Sequence, residues 1–80
     1  MISIKSVELY IIYESEDLSR NKWRVEYTDE TVDEMFSFCA PSKEVELFCA
    51  KAYTDCSYSV DDRGKQVKHI HYEGKHPYFN

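Results

Sequence analysis

The apolar residues of this chain change their spacing twice, and that change constrains the fold more than any other feature. Up to about residue 39, apolar and polar residues largely alternate, which is typical of strands. A helical spacing replaces the alternation after Ser42, and the alternation returns from Cys56 onward. The sequence therefore predicts an α+β fold in the order β-β-β-α-β-β, with an antiparallel sheet of about five strands and one amphipathic helix packed on one face.

The first half of the chain predicts a three-stranded meander. Its strands would be Ile4–Glu14, Lys22–Thr28 and Val32–Cys39, with turn-forming residues before the third strand. The first strand is apolar on both faces, because Tyr10 and Ile12 lie opposite the face that carries its other apolar residues. We expect partial cover on both faces, and we interpret Tyr10 and Ile12 as a candidate interface.

The middle of the chain predicts one helix. Ser42 suits its N-terminal cap, because the hydroxyl can accept a hydrogen bond from a backbone N–H of the first turn. Glu44 and Glu46 follow in the first turns, where the helix dipole favours acidic side chains. The apolar residues then recur at helical spacing, namely Val45, Phe48, Cys49, Ala52 and Tyr53. This pattern predicts about three turns of helix with one stripe packed on the sheet.

The last third predicts a hairpin of two strands, Cys56–Val60 and Lys65–Tyr72. Gly64 suits the left-handed position of a three-residue turn that is closed by a G1 bulge. That turn places His69 and His71 on the polar face, whereas a two-residue turn would bury both histidines. The predicted pairs are Tyr58 with Lys68, Ser57 with His69, and Cys56 with Ile70.

The length and the cysteine content bound the class of protein. Eighty residues suffice for one hydrophobic core, so we expect a single compact α+β domain over residues 1–80. No apolar run approaches the roughly 20 residues that cross a bilayer, and the start of the chain does not resemble a signal peptide. The three cysteines, Cys39, Cys49 and Cys56, cannot all pair within one chain. These features predict a cytoplasmic protein with reduced cysteines and no membrane partner.

No catalytic motif is present in the sequence. It contains no GxSxG, no HExxH and no glycine-rich phosphate loop. His69 and His71 could both reach one metal ion, but the predicted register sends Cys56 to the opposite face of the hairpin. We therefore expect no enzyme activity, no cofactor and no metal, and we expect both histidines to face solvent.

The negative charge is concentrated in the first half, where residues 1–46 hold eleven acidic and five basic residues. One acidic run has no basic residue within it, and its members are Glu26, Asp29, Glu30, Asp33 and Glu34. The run is either a solvated hairpin tip that keeps the domain soluble or a surface that mimics phosphate and docks on a basic protein. We predict the second role, with a partner that carries a basic nucleic-acid-binding surface.

The last strand and the residues after it interleave basic and aromatic side chains. Lys68, His69, His71 and Lys75 are the basic members of this alternative nucleic-acid face. Cations that follow the phosphates and rings that stack on the bases are typical of single-strand binding. We favour a solvated edge strand here, because the chain carries a net charge of −5 and direct binding of nucleic acid would be opposed by it.

A short, acidic, aromatic-rich chain with reduced cysteines and no catalytic motif has the profile of small inhibitors encoded by phages or other mobile elements, such as anti-CRISPR or anti-restriction proteins. This is an analogy of size and composition. The sequence thus predicts a non-enzymatic protein-binding module that inhibits a nucleic-acid-handling host complex. The alternatives are a nucleic-acid-binding accessory protein and a small subunit or homodimerisation module of a larger assembly.

Overall fold

The computed structural model describes residues 1–74 and confirms the predicted fold class and element order. The elements are β1 (Ile4–Tyr13), β2 (Ser19–Tyr27), β3 (Val32–Phe36), α1 (Lys43–Lys51), β4 (Tyr53–Val60) and β5 (Gln66–Glu73). No helix in this part of the chain has the length and apolar character needed to span a membrane.

The strands form one antiparallel sheet in the order β3-β2-β1-β5-β4. The β1-β2-β3 meander and the β4-β5 hairpin therefore meet where β1 pairs with β5, and α1 connects the two edge strands, β3 and β4. Because β1 is the central strand, side chains of β2 and β5 lie beside its own on each face, and Tyr10 and Ile12 are half-buried on the face that α1 does not cover.

The predicted register of the β4-β5 hairpin is confirmed. Ser57 lies opposite His69, and Cys56 lies opposite Ile70. Gly64 has a φ of 79° and its N–H donates to the carbonyl of Asp61 at 3.0 Å, as a G1 bulge requires. A residue with a side chain would be strained at this φ, so the glycine sets the turn and the turn sets which side chains share a face.

The core lies between α1 and the face of the sheet that carries alternate residues of β1 and β2. Its buried members are Ile4, Val7, Leu9, Trp23, Val25 and Val45. The buried indole N–H of Trp23 has a hydrogen-bond acceptor, because Nε1 donates to the carbonyl of Ser37 at 2.9 Å. This bond fixes the chain that leaves β3 against the core.

The helix is shorter than predicted. Ser42 caps it as expected, since its hydroxyl accepts a hydrogen bond from the N–H of Val45 at 3.2 Å. The last two residues of the predicted stripe are not helical, because Ala52 has extended dihedral angles and Tyr53 begins β4. Pairing of Tyr53 with Glu73 gives this segment a backbone ladder that a further turn of helix could not supply.

The strand ends also differ from the prediction in the meander. β2 begins at Ser19, because the N–H groups of Glu14 and Ser15 both donate to the carbonyl of Leu18 and close a tight turn there. β3 ends at Phe36 instead of Cys39, and the chain turns away from the sheet through Ser37.

Val45→Ala should lower the free energy of unfolding by about 2–3 kcal/mol, because it removes two buried methyl groups and leaves a cavity. Val45 is 2% exposed, whereas Leu47 on the same helix is 51% exposed. Leu47→Ala is therefore the matched control and should change stability by no more than about 0.5 kcal/mol. Urea unfolding of both variants measures the difference, and equal losses would show that the face of α1 that packs on the sheet has been misassigned.

Candidate binding surfaces

One face of the sheet is packed against α1, and no other element of residues 1–74 covers the opposite face. Because side chains alternate along a strand, the residues between the core positions of β1 point away from α1. We call this surface the open face. The register aligns on it Ser6, Glu8, Tyr10 and Ile12 of β1, Arg20, Lys22, Arg24 and Glu26 of β2, and Val67, His69, His71 and Glu73 of β5.

A carboxylate at the centre of the open face binds two imidazoles. Oε1 of Glu8 pairs with Nε2 of His69, and Oε2 of Glu8 lies 2.6 Å from Nδ1 of His71. The other ring nitrogen of His71, Nε2, lies 2.6 Å from Oε1 of Glu73. The ring of Tyr10 stacks on His69 with a centroid distance of 4.5 Å. These contacts join β1 and β5 through their side chains as well as their backbones.

The prediction that both histidines face solvent needs correction. They lie on the predicted face, but the side chains of His69 and His71 are only 30% and 31% exposed, and Glu8 is 13% exposed. The sequence reasoning missed Glu8 because the hairpin turn shows that β5 pairs with β4, and nothing local shows that β5 also pairs with β1.

The pKa of His71 is raised from its ordinary value. Burial alone would lower it, but the hydrogen bonds and charges of Glu73 and Glu8 outweigh that effect. The cationic form of His71 is thus stabilised by two carboxylates on opposite sides of its ring.

The arrangement of His69, His71 and Glu8 does not favour binding of a metal ion. Across residues 1–74, no three His, Cys, Asp or Glu side chains are placed so that they could hold a metal ion. The described nitrogens of His69 and His71 point at carboxylate oxygens instead of converging on a shared point. The two histidines and Glu8 are better described as a hydrogen-bonded network.

The five residues of the acidic run do not form one patch. Glu26 and Glu34 lie on the open face and pair with bases of neighbouring strands, at 3.8 Å from Lys5 and at 3.6 Å from Arg24. Asp33 lies on the opposite face, where burial and this carboxylate raise the pKa of Tyr27. The run therefore splits between the two faces and the turn that joins β2 to β3.

The remaining two acids of the run occupy that turn. Hydrogen bonds from the side chain and backbone of Thr31 lower the pKa of Asp29, so it stays ionised. Glu30 has a φ of 70°, the left-handed conformation that only a well-defined turn imposes on a residue with a side chain. Asp29 and Glu30 are both exposed, and they form the acidic turn.

The described residues of the alternative nucleic-acid face are also divided. His69 and His71 lie on the open face, whereas Lys68 points to the other face, with its ammonium 5.9 Å from the ring centre of Tyr58. Lys75 lies outside the described residues. The open face carries a different basic row, Arg20, Lys22 and Arg24, along β2.

Tyr10 and Ile12 are half-buried, and they line a shallow groove of about 400 Å³ on the open face. Lys22 and Arg24 stand on one side of this groove, and Ser59 stands on the other. Because β1 is flanked by β2 and β5, a second chain cannot pair with its backbone, and it can reach Tyr10 and Ile12 only through their side chains.

Two exposed aromatic residues at the end of β3 were assigned no role by the sequence reasoning. Phe36 is 54% exposed and Phe38 is 88% exposed. The guanidinium carbon of Arg20 lies 4.2 Å from the centre of the Phe36 ring, in a cation–π contact. Their spacing of two residues in the sequence indicates a shared face of a strand and shows nothing of their exposure.

The segment that carries Phe38 is held in place by the core. The side-chain amide of Asn21 donates to the carbonyl of Phe38 at 3.0 Å, and the hydroxyl of Ser37 donates to the carbonyl of Cys39 at 2.7 Å. Together with the bond from Trp23 to Ser37, these contacts fix the backbone on both sides of an exposed ring. A large apolar side chain on a fixed, exposed backbone is typical of an anchor at a protein interface.

The three cysteines are free. Burial raises the pKa of the Cys49 thiol to about 11, which keeps it protonated and unreactive. Cys39 and Cys56 are exposed.

No family model, curated protein or solved structure matches this chain.

The contribution of His71 to stability should depend on pH. A histidine with a raised pKa in the folded state stabilises fully below the ordinary value of about 6.5 and loses that contribution as the pH rises through the folded-state pKa. The stability difference between wild type and His71→Gln should therefore be largest below about pH 6.5 and shrink as the pH rises above it. Urea unfolding at a series of pH values measures it, with Ser59→Gln on the same face as the control. A difference that does not change with pH would contradict the role assigned to the two carboxylates.

Proposed function

We propose that this chain is a small, non-enzymatic protein-binding module that docks through its β3 side on a basic surface of a nucleic-acid-handling protein. The observation that carries the proposal is the exposure of Phe38 on a backbone held by Asn21 and Ser37. Because the backbone that carries this ring is already held, binding loses little backbone entropy, and aromatic residues supply much of the energy of protein interfaces.

The position of the acidic turn supports a partner with a basic surface. The acidic turn, Asp29 and Glu30, lies at one end of β3, and Phe36 and Phe38 lie at the other end. Five residues of strand separate them by roughly 16 Å, which is well within the width of a standard interface. A partner that fits this side has an apolar pocket for a phenylalanine and lysine or arginine residues about one strand length away. Carboxylates on this side would steer such a partner and fix its orientation.

A surface that binds carboxylates through lysine and arginine is also a surface that binds phosphates. Occupying it would exclude nucleic acid, so the module would act as an inhibitor of the anti-CRISPR or anti-restriction kind. Free cysteines fit a reducing compartment, and we place the protein in the cytoplasm of the host.

A second candidate function is binding of single-stranded nucleic acid on the open face. The basic row Arg20, Lys22 and Arg24 runs beside the rings of Tyr10 and Phe36. Glu34 opposes this function, because it lies 3.9 Å from Lys22 and 3.6 Å from Arg24 and partly neutralises the row.

Phe38→Ala should weaken binding of a host protein captured by the wild type by about thirtyfold, the effect of losing an interface anchor worth about 2 kcal/mol. Leu18→Ala is the matched control, because Leu18 is also an exposed apolar residue, at 60%. Both variants should keep the stability of the wild type, and surface plasmon resonance with the purified captured protein measures the affinities. Equal affinities for the two variants would refute the anchor.

Reversing the acidic turn with D29K/E30K should slow association with the same partner, and the difference should be smaller at high salt. The control is E16K/D17K, which makes the same change of charge in the exposed turn between β1 and β2. Equal association rates for the two reversals would argue against a docking role for Asp29 and Glu30. Binding of a fluorescent oligonucleotide that D29K/E30K strengthens would favour the second candidate function instead.

A further inference from the structure

The two edges of the sheet differ in how well they are protected. An unpaired strand edge invites pairing with another chain, and proteins usually block it with charges or prolines. β3 carries Asp33 and Glu34 among its five residues. All eight residues of β4 are exposed, yet Asp55 is its sole charged residue and it contains no proline. No other strand of residues 1–74 pairs with the outer side of β4.

The hairpin turn determines which backbone groups of β4 are free. The N–H of Asp61 donates to the carbonyl of Lys65, so the backbone of Asp61 faces β5. Because this direction alternates along a strand, Ser57 and Ser59 also face β5. The N–H and C=O groups that point outward belong to Thr54, Cys56, Tyr58 and Val60. One contact agrees with this assignment, since the N–H of Cys56 donates to its neighbour's side chain, Oδ1 of Asp55, at 3.0 Å.

The outward-facing residues are symmetric about Ser57. We propose that two copies of this chain pair through β4, antiparallel and with the two-fold axis at Ser57, to form a continuous sheet of about ten strands. In this register Thr54 pairs with Val60 of the second copy, and Cys56 pairs with Tyr58 of the second copy. Every outward-facing group then has a partner, which no other centre achieves.

The side chains fit this register. Tyr58 and Val60 are 73% and 64% exposed, and they would pack against Cys56 and Thr54 of the second copy on the α1 side of the joined sheet. On the open face, Asp55 lies opposite Ser59 of the second copy, whose hydroxyl can donate to the carboxylate. The N–H of Cys56 then exchanges the carboxylate of Asp55 for a carbonyl of the second strand.

Charge explains why a second copy can approach although each chain carries a net charge of −5. The acidic turn lies on the far side of the sheet from β4, and the two Asp55 residues do not face each other in this register. This dimer is separate from the proposed function, because it uses the β4 edge and leaves the β3 side free to dock on another protein.

A pair of lysine substitutions tests both the pairing and its register. Ser57→Lys would place two lysines directly opposite each other on the axis, so it should raise the dimer dissociation constant by up to about fivefold. Ser59→Lys would face Asp55 of the second copy and should leave the constant unchanged or lower it. Sedimentation equilibrium of wild type and both variants measures the constants. A wild type that stays monomeric up to millimolar concentration, or equal effects of the two lysines, would overturn the proposal.

A disulfide trap gives an independent measurement. Ser57 and its counterpart would form a non-hydrogen-bonded pair with Cα atoms about 4.5 Å apart, within the range of about 4.4–6.8 Å that a disulfide spans. In a background with Cys39→Ser and Cys56→Ser, Ser57→Cys should therefore oxidise to a covalent dimer much faster than Ser59→Cys. Comparable rates for the two variants would contradict the axis at Ser57.

Discussion

Pairing of β1 with strands on both sides is the constraint on which the rest of this structure depends. β2 reaches β1 through a short turn, but β5 reaches it only after the chain has passed through β3, α1 and β4. The β1-β5 contact joins two units that are each too small to bury a core. It also completes the sheet surface on which α1 packs, so the buried positions of β1, β2 and α1 all follow from it.

The same contact creates the network on the open face. Glu8 lies sixty-one residues from His69 in sequence, and only the β1-β5 register brings them together. A carboxylate and two imidazoles that are mostly shielded from water must satisfy one another, because an unpaired buried charge would be costly. Among residues 1–74, no buried side-chain nitrogen or oxygen lacks a hydrogen-bond partner. The polar face is therefore as specific to this register as the apolar core is.

The features that can be predicted from the sequence are those determined by residues close together in the chain. The cap at Ser42, the bulge at Gly64 and the faces of the last hairpin each depend on residues a few positions apart, and each was predicted correctly. The partner of β5 depends on which surfaces remain to be covered once the local elements exist, and no short segment encodes it. The bases that neutralise Glu26 and Glu34 were missed for a related reason, because they come from neighbouring strands and not from within the run.

In the two proposals the edges of the sheet have separate roles: the β3 side binds a different protein, and β4 binds a second copy of the chain. With α1 on one face only, the core cluster of residues 1–74 has six buried apolar side chains, so the margin of stability is small. Association of folded chains stabilises a fold by mass action, and the proposed strand pairing at β4 would do this without using any residue of β3. The residues that would contact a different protein are then free to be exposed and charged, even though such residues add little to folding. A dimer would also present two copies of Phe38 and of the acidic turn, so a partner with repeated sites would bind more tightly than one contact allows.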